Sequence, residues 1–108
     1  MERFRALVEK RFTHAYGVAA YANVLGVTAR YLNDRCRAAN GPNAMAIVHQ
    51  RKALEARRLL LFTDMAIADI GASLGFEDPA YFARFFRREV GVSPTGFRAA
   101  RPPLKLAP

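Results

Sequence analysis

Val18-Ala19-Ala20-Tyr21-Ala22-Asn23-Val24-Leu25-Gly26-Val27 and, 49 residues on, Ile67-Ala68-Asp69-Ile70-Gly71-Ala72-Ser73-Leu74-Gly75-Phe76 carry one spacing. Val18, Tyr21, Ala22 and Leu25 stand at i, i+3, i+4 and i+7, and Ile67, Ile70, Gly71 and Leu74 repeat the pattern. A helix so spaced buries one stripe. Its Leu-Gly-apolar ending stops it, because glycine accepts the left-handed backbone of a tight turn. The small third member, Ala22 or Gly71, leaves room for the next helix to cross closely. Each copy leads into a longer, arginine-bearing helix. Helix, glycine turn and second helix outline a helix-turn-helix, whose second helix enters a DNA major groove. Two copies in one basic chain make the signal specific.

Outward from these copies the pattern stays helical. Glu2 to about Phe12 reads as a first helix with Phe4, Leu7, Val8 and either Arg11 or Phe12 on its inner face. Its start is poorly capped. The second helix runs from Val18 to Leu25, and Thr28 is placed to cap a third that ends near Ala39. Asn40-Gly41-Pro42 is a stop. Asn43 caps a long fourth helix, Ala44 to Phe62, with Ile47, Leu54 and Leu61 on one face and Val48, Leu59 and Leu60 around the side. A helix apolar on several sides is one packed between neighbours, which suits a linker. Thr63-Asp64 punctuates the chain before a fifth helix, about Ala66 to Leu74. Asp78 caps the sixth with Pro79 at its first position, and Ser93-Pro94 opens a seventh by the same logic. No strand pattern appears. The fold expected is all-α, two helix-turn-helix subdomains with homeodomain-like lobes joined by a long linker helix. The first lobe is placed at 1–42, the linker at 43–62, the second lobe at 63–101 and a frayed tail at 102–108.

Size and charge narrow the function. A chain of 108 residues is one domain's worth, or two very small subdomains sharing a connecting element. No apolar run reaches the roughly 18 residues a membrane span needs, and Met1-Glu2-Arg3 leads straight into a charged stretch rather than a secretory signal. The single cysteine, Cys36, excludes an intramolecular disulfide. With only His14 and His49 far away in sequence, no metal site and no cofactor is expected. A reducing cytoplasm fits this usage. The net charge is +8, and 14 of the 17 basic residues are arginine, whose planar fork suits phosphates and guanine edges. From Pro79 to Pro108, Arg84, Arg87, Arg88, Arg98, Arg101 and Lys105 face one acid, Glu89. That is a footprint for a polyanion, or a merely soluble basic surface. Arg51, Lys52, Arg57 and Arg58 on the long helix read as solvated charges or internal partners of Glu55.

Two helices are candidate readers of DNA. In the sixth, Phe82, Phe85, Phe86 and Val90 fall inward, leaving Pro79, Ala80, Ala83, Arg84, Arg87 and Arg88 outward or flanking. Small residues on the first turn let the backbone approach the groove floor, and Arg84 one turn on can reach a guanine edge. Ala80 could touch a thymine methyl. Tyr81 could reach a phosphate or pack beside Phe85. In the third, Tyr31 or Leu32 falls inward with Cys36, and Ala29, Arg30, Asn33, Asp34 and Arg37 fall outward. Arg30 suits guanine and Asn33 adenine. Asp34 either accepts from a cytosine amine or pairs with Arg30 or Arg37. The expected phosphate contacts are Thr28, Arg37, Arg87, Arg88 and Arg98. Paired carboxylates, phosphate loops and nucleophile-base pairs are missing, so no enzyme is expected; Glu77-Asp78 reads as turn and cap. A helical protein-interaction module with an incidental basic surface is the alternative.

Glu55-Ala56-Arg57-Arg58-Leu59-Leu60, Ile67-Ala68-Asp69-Ile70, Leu74-Gly75-Phe76-Glu77-Asp78-Pro79-Ala80-Tyr81-Phe82-Ala83-Arg84-Phe85-Phe86-Arg87-Arg88, Gly91-Val92-Ser93-Pro94 and Phe97-Arg98 together resemble the AraC/XylS family of bacterial transcription regulators. The likeness runs from about Phe4 to Arg98. It implies a seven-helix, two-lobed domain binding double-stranded DNA sequence-specifically, its recognition helices in successive major grooves about 34 Å apart. By motif the base-contacting positions fall on Arg30, Asn33 and Asp34, and on Pro79, Ala80, Tyr81 and Arg84. RNA polymerase is a further partner the likeness implies, most often through activation. An effector ligand would act only through an N-terminal domain absent here; the chain is then either an excised DNA-binding domain or one of the short members that lack the other domain, and the poorly capped start favours excision. Three departures stand out. Asp34 replaces a basic or small polar residue and Cys36 a phenylalanine, so the first lobe is expected to read DNA weakly or pack loosely. Ala66 replaces a serine cap, a loss of roughly 1 kcal/mol.

Overall fold

A computed structural model describes residues 1–39 and 41–102. The expectations for Asn40, and for the tail beyond Pro102, lie outside the described residues. Among the described residues there are seven helices and no strand: α1 (Glu2–Arg11), α2 (Val18–Leu25), α3 (Ala29–Ala38), α4 (Ala44–Phe62), α5 (Ile67–Ser73), α6 (Pro79–Val90) and α7 (Pro94–Ala99). The all-α expectation holds, with helix ends within a residue or so of those read from the sequence. The chain divides into two compact units, Met1–Lys52 and Ala53–Pro108, with the boundary along the sequence falling within α4.

The glycine turns explain why each short helix ends where it does. Gly26 has φ 72° and Gly75 φ 90°, both left-handed. Behind each glycine the next N–H reaches back to the small residue of the stripe: Val27 N donates to Ala22 O at 3.0 Å, and Phe76 N donates to Gly71 O at 2.9 Å. The same ring closes in both copies, satisfying carbonyls a helix end leaves open. Side chains start the following helices. Thr28 Oγ1 accepts from Tyr31 N at 3.0 Å, Asp78 Oδ1 from Ala80 N at 3.0 Å and Ser93 Oγ from Gly96 N at 3.0 Å. Ala66 gives α5 no such acceptor.

In the first unit Phe4, Val8 and Phe12 line the inner face of α1, so Phe12 rather than Arg11 completes it. Phe4 and Tyr16 each meet Tyr21 edge-on, at 5.7 and 5.4 Å. In α3, Leu32 and Cys36 are buried, while Tyr31 is 54% exposed. Burial raises the Cys36 thiol above its ordinary range.

In the second unit Phe82, Phe85 and Phe86 are buried on one side of α6. Phe76, just past the glycine turn, lies 4.7 Å from Phe85 and 5.3 Å from Phe82. Phe97 of α7 meets Phe86 at 5.5 Å. Gly71 is small for a reason: a β-carbon there would stand 2.8 Å from Phe82 Cγ.

Helix α4 corrects the sequence reading. Of the expected face Ile47 is buried and Leu61 half-buried, but Leu54 is 52% exposed. Instead Ala44, Val48, Lys52, Ala56 and Leu60 are buried at i+4 spacing. Alanines let neighbours approach closely, so Ala44 and Ala56 share the packed side with Val48 and Leu60. Lys52 is therefore no solvated charge. It is 5% exposed, and its Nζ donates to His14 O at 2.8 Å. Burial disfavours the ammonium and pulls its pKa down to about 8. Arg58 pairs with Glu55 as expected, forking onto it at 2.7 and 2.8 Å, whereas Arg51 pairs with Glu9 of α1, its Nε 2.7 Å from Oε2 and its guanidinium 4.0 Å over the Phe12 ring.

Candidate nucleic-acid interface

Helix α6 presents its first turns to solvent because its other side is filled with phenylalanine. Asp78 takes the first free N–H, and Pro79 at the first position has no N–H to satisfy. Pro79, Ala80, Tyr81 and Arg84 are then all exposed. Tyr81 is 53% exposed, and its ring leans on Phe76 at 5.9 Å. The Arg84 guanidinium lies 5.9 Å from the Tyr81 ring centre, a distance at which the aromatic face attracts it. Phe76, Tyr81 and Arg84 thus form a short stack ending in a cation one turn from Ala80. Arg87 and Arg88 are exposed further along, and Arg88 Nε stands 3.5 Å from Glu89 Oε2.

In the first unit, α3 carries a charged triad. Arg30 is 92% exposed at the side chain, and Asp34 lies between it and Arg37, at 4.0 and 3.6 Å. Of the roles open to Asp34, pairing with both arginines is the one these distances describe. Thr28 is exposed; its Oγ1 accepts from the backbone, which leaves its hydroxyl hydrogen available.

Two expected site residues are engaged elsewhere. Asn33 is half-buried, and its Oδ1 accepts from Ala44 N at 3.0 Å, capping α4. Reading adenine would need that oxygen and the amide nitrogen together. Asn43 does cap α4 as expected, accepting from Ala46 N at 2.9 Å, so two asparagines share the task.

Arg98 likewise points inward. Its Nε donates to Leu60 O at 3.3 Å, Nη2 to Thr63 O at 3.1 Å and to Leu59 O at 3.5 Å, and Nη1 to Met65 O. Arg101, unassigned from the sequence, donates to Leu60 O and Thr63 O at 2.7 Å and to Asp64 Oδ1 at 2.6 Å. Helix α4 ends without a glycine, its last carbonyls need donors, and two arginines supply them where the helix dipole favours cations. The missing glycine after Phe62 was the available signal. A phosphate role for Arg98 does not fit a guanidinium so placed.

Among the described residues no group of three or more His, Cys, Asp or Glu is placed to hold a metal, and no helix is long and apolar enough to cross a membrane.

Residues 21–100 match the family described as "Helix-turn-helix domain". The HTH-type transcriptional regulator ExsA of Pseudomonas aeruginosa is 27% identical over 101 residues, which cover 94% of this chain and 36% of ExsA. The chain belongs to the AraC/XylS helix-turn-helix family. The C-terminal domain of AraT, a response regulator from Geobacillus stearothermophilus, superposes with a TM-score of 0.92 at 25% identity, covering 99% of this chain and 89% of that one. The DNA-binding domain of AdpA, a global transcriptional factor solved in complex with a target DNA, superposes at 0.82 with 25% identity over 92% of this chain and 89% of its own. The chain spans about a third of the length of the curated AraC/XylS relatives it matches.

Proposed function

We propose that this chain is the DNA-binding domain of a bacterial transcription regulator, with α6 and α3 each reading a major groove of double-stranded DNA. The observation that carries the reading is the exposed start of α6, where Pro79 and Ala80 let the backbone approach and Arg84 extends one turn on. Arg84 is assigned to a guanine edge, Ala80 to a thymine methyl, Tyr81 to the same groove, and Arg87 and Arg88 to phosphates. On α3, Arg30 reads bases, Asp34 sets the position of Arg30 and Arg37, and Thr28 and Arg37 hold phosphates. Cytoplasmic work, contact with RNA polymerase and control by an effector through a separate domain belong to the same reading of a longer protein. No catalytic role is assigned.

Binding-site selection with randomised duplexes, followed by Arg84→Ala, tests it. The variant loses about 1–3 kcal/mol on the selected site and much less on random DNA. Equal loss on both would make Arg84 a phosphate contact. Affinity should also fall log-linearly with salt. Failure to select any sequence would favour the protein-interaction alternative.

A further inference from the structure

The first unit carries a surface feature that DNA reading does not use. Two hollows of about 160 and 230 Å³ adjoin along α1, and Arg3 and Leu25 wall both. The first reaches Phe4, Val27 and Leu32 at its floor, with Tyr31 at its edge. The second is bounded by Ala6, Leu7 and Val24. Val24 and Tyr31 are each 54% exposed, and with the apolar linings of the two hollows they make one continuous apolar strip. Each hollow is large enough for a branched or aromatic side chain; a cavity of about 150 Å³ holds a benzene.

The rim has one sign. Arg35 lines the first hollow, Lys10 the second and Arg3 both, and no acidic side chain lines either. We propose that this groove is a docking site for an acidic amphipathic helix of a partner protein. Apolar anchors on one face of such a helix would fill the hollows, and carboxylates beside them would meet Arg3, Lys10 and Arg35. Charge decides the occupant. A second copy of this chain brings a net charge of +8 to a cationic rim. A DNA backbone would satisfy the cations but leave Val24, Tyr31 and both hollows without an apolar partner. The groove also lies off the outward face of α3 that holds Arg30, Asp34 and Arg37, so both surfaces can work together.

The test titrates the full chain with a synthetic helical peptide carrying leucines at i, i+3 and i+7 with glutamates between them, followed by amide NMR. Its controls are the same composition scrambled out of helical period and a twin with lysine for every glutamate. Saturable shifts are expected at Val24, Leu25, Tyr31 and Arg35, with at least tenfold weaker binding for both controls. Arg3→Glu and, separately, Val24→Asp should each weaken the peptide tenfold or more while helicity and selected-site affinity stay unchanged. Two variants keep the test decisive if one folds poorly. Equal binding of the controls, shifts spread over every basic face, or indifference to both variants overturns the proposal. So does a random duplex that shifts the same amides and weakens with Arg3→Glu, since the groove would then be a phosphate contact.

Discussion

The ring of Phe82 lies so close to Gly71 that a β-carbon on residue 71 would approach its Cγ to 2.8 Å, its Cδ2 to 2.9 Å and its own Cβ to 3.0 Å. Those atoms sit at the root of the side chain, so a methyl could be admitted only if α5 and α6 moved apart. Gly71→Ala gains up to about 1 kcal/mol of helix propensity and loses about 1–3 kcal/mol to overpacking. A net loss is expected, read as a lower urea midpoint with an unchanged slope. A raised midpoint would show that the crossing is looser than described. The equivalent position in the first copy, Ala22, already carries the methyl.

Replacing Gly75 places a β-carbon on a left-handed residue. At φ 90° Gly75→Ala should cost about 1–2 kcal/mol. Gly75→Val should unfold the second unit, visible as lost helicity and lost protection of α5 and α6 amides. An unaltered melting temperature would refute the turn.

Arg98 should behave as a structural residue. Arg98→Ala removes charge-assisted bonds to the end of α4, each worth about 1.5–3 kcal/mol, and should lower the melting temperature sharply. Arg98→Lys should recover only part, since a point donor cannot span the carbonyls of Leu60, Thr63 and Met65. The slope of DNA affinity against salt should not change, whereas Arg87→Ala should reduce it by about 1. The reverse outcome, a lower slope with normal melting, would return Arg98 to the phosphates.

Asn33→Ala should cost about 1 kcal/mol through its lost cap on α4 and leave base preference untouched. Asn33→Asp keeps the acceptor and should keep the stability. Altered preference at one base position in Asn33→Ala would reinstate a base contact.

Lys52 gives stability a dependence on alkaline pH. Its pKa is about 8 in the fold against 10.5 when free. Between those values the unfolded chain binds more protons, so stability rises with pH there. Below about pH 8 the penalty is fully present, about 3 kcal/mol from the shift; by about pH 10.5 it has gone. Lys52→Met should therefore be more stable than the native chain at pH 7, with the difference shrinking towards pH 10.5. Denaturant melts across that range check it, and a constant difference would place the ammonium in water.

What could be read in the sequence was local. The turns at Gly26 and Gly75 and the caps Thr28, Asp78 and Ser93 act across two to five residues, so spacing alone reveals them. The exposed start of α6 follows from Phe82, Phe85 and Phe86 taking its other side. What escaped was long-range. Asn33 caps a helix 11 residues later, and Arg98 reaches a carbonyl 38 residues back; an exposed-looking polar residue has no local mark of such a partner. Lys52 escaped for another reason. It sits on a line with Ala44 and Ala56, and a count of large apolar residues gives alanines too little weight.

The burial of Cys36 has a practical consequence. As the chain's lone thiol, fully covered and with its pKa raised by burial, it should ignore maleimide reagents in the native state. A cysteine engineered at the solvent end of α6 would then be the sole labelled atom. A fluorophore placed there could report occupancy of that helix without any background to subtract.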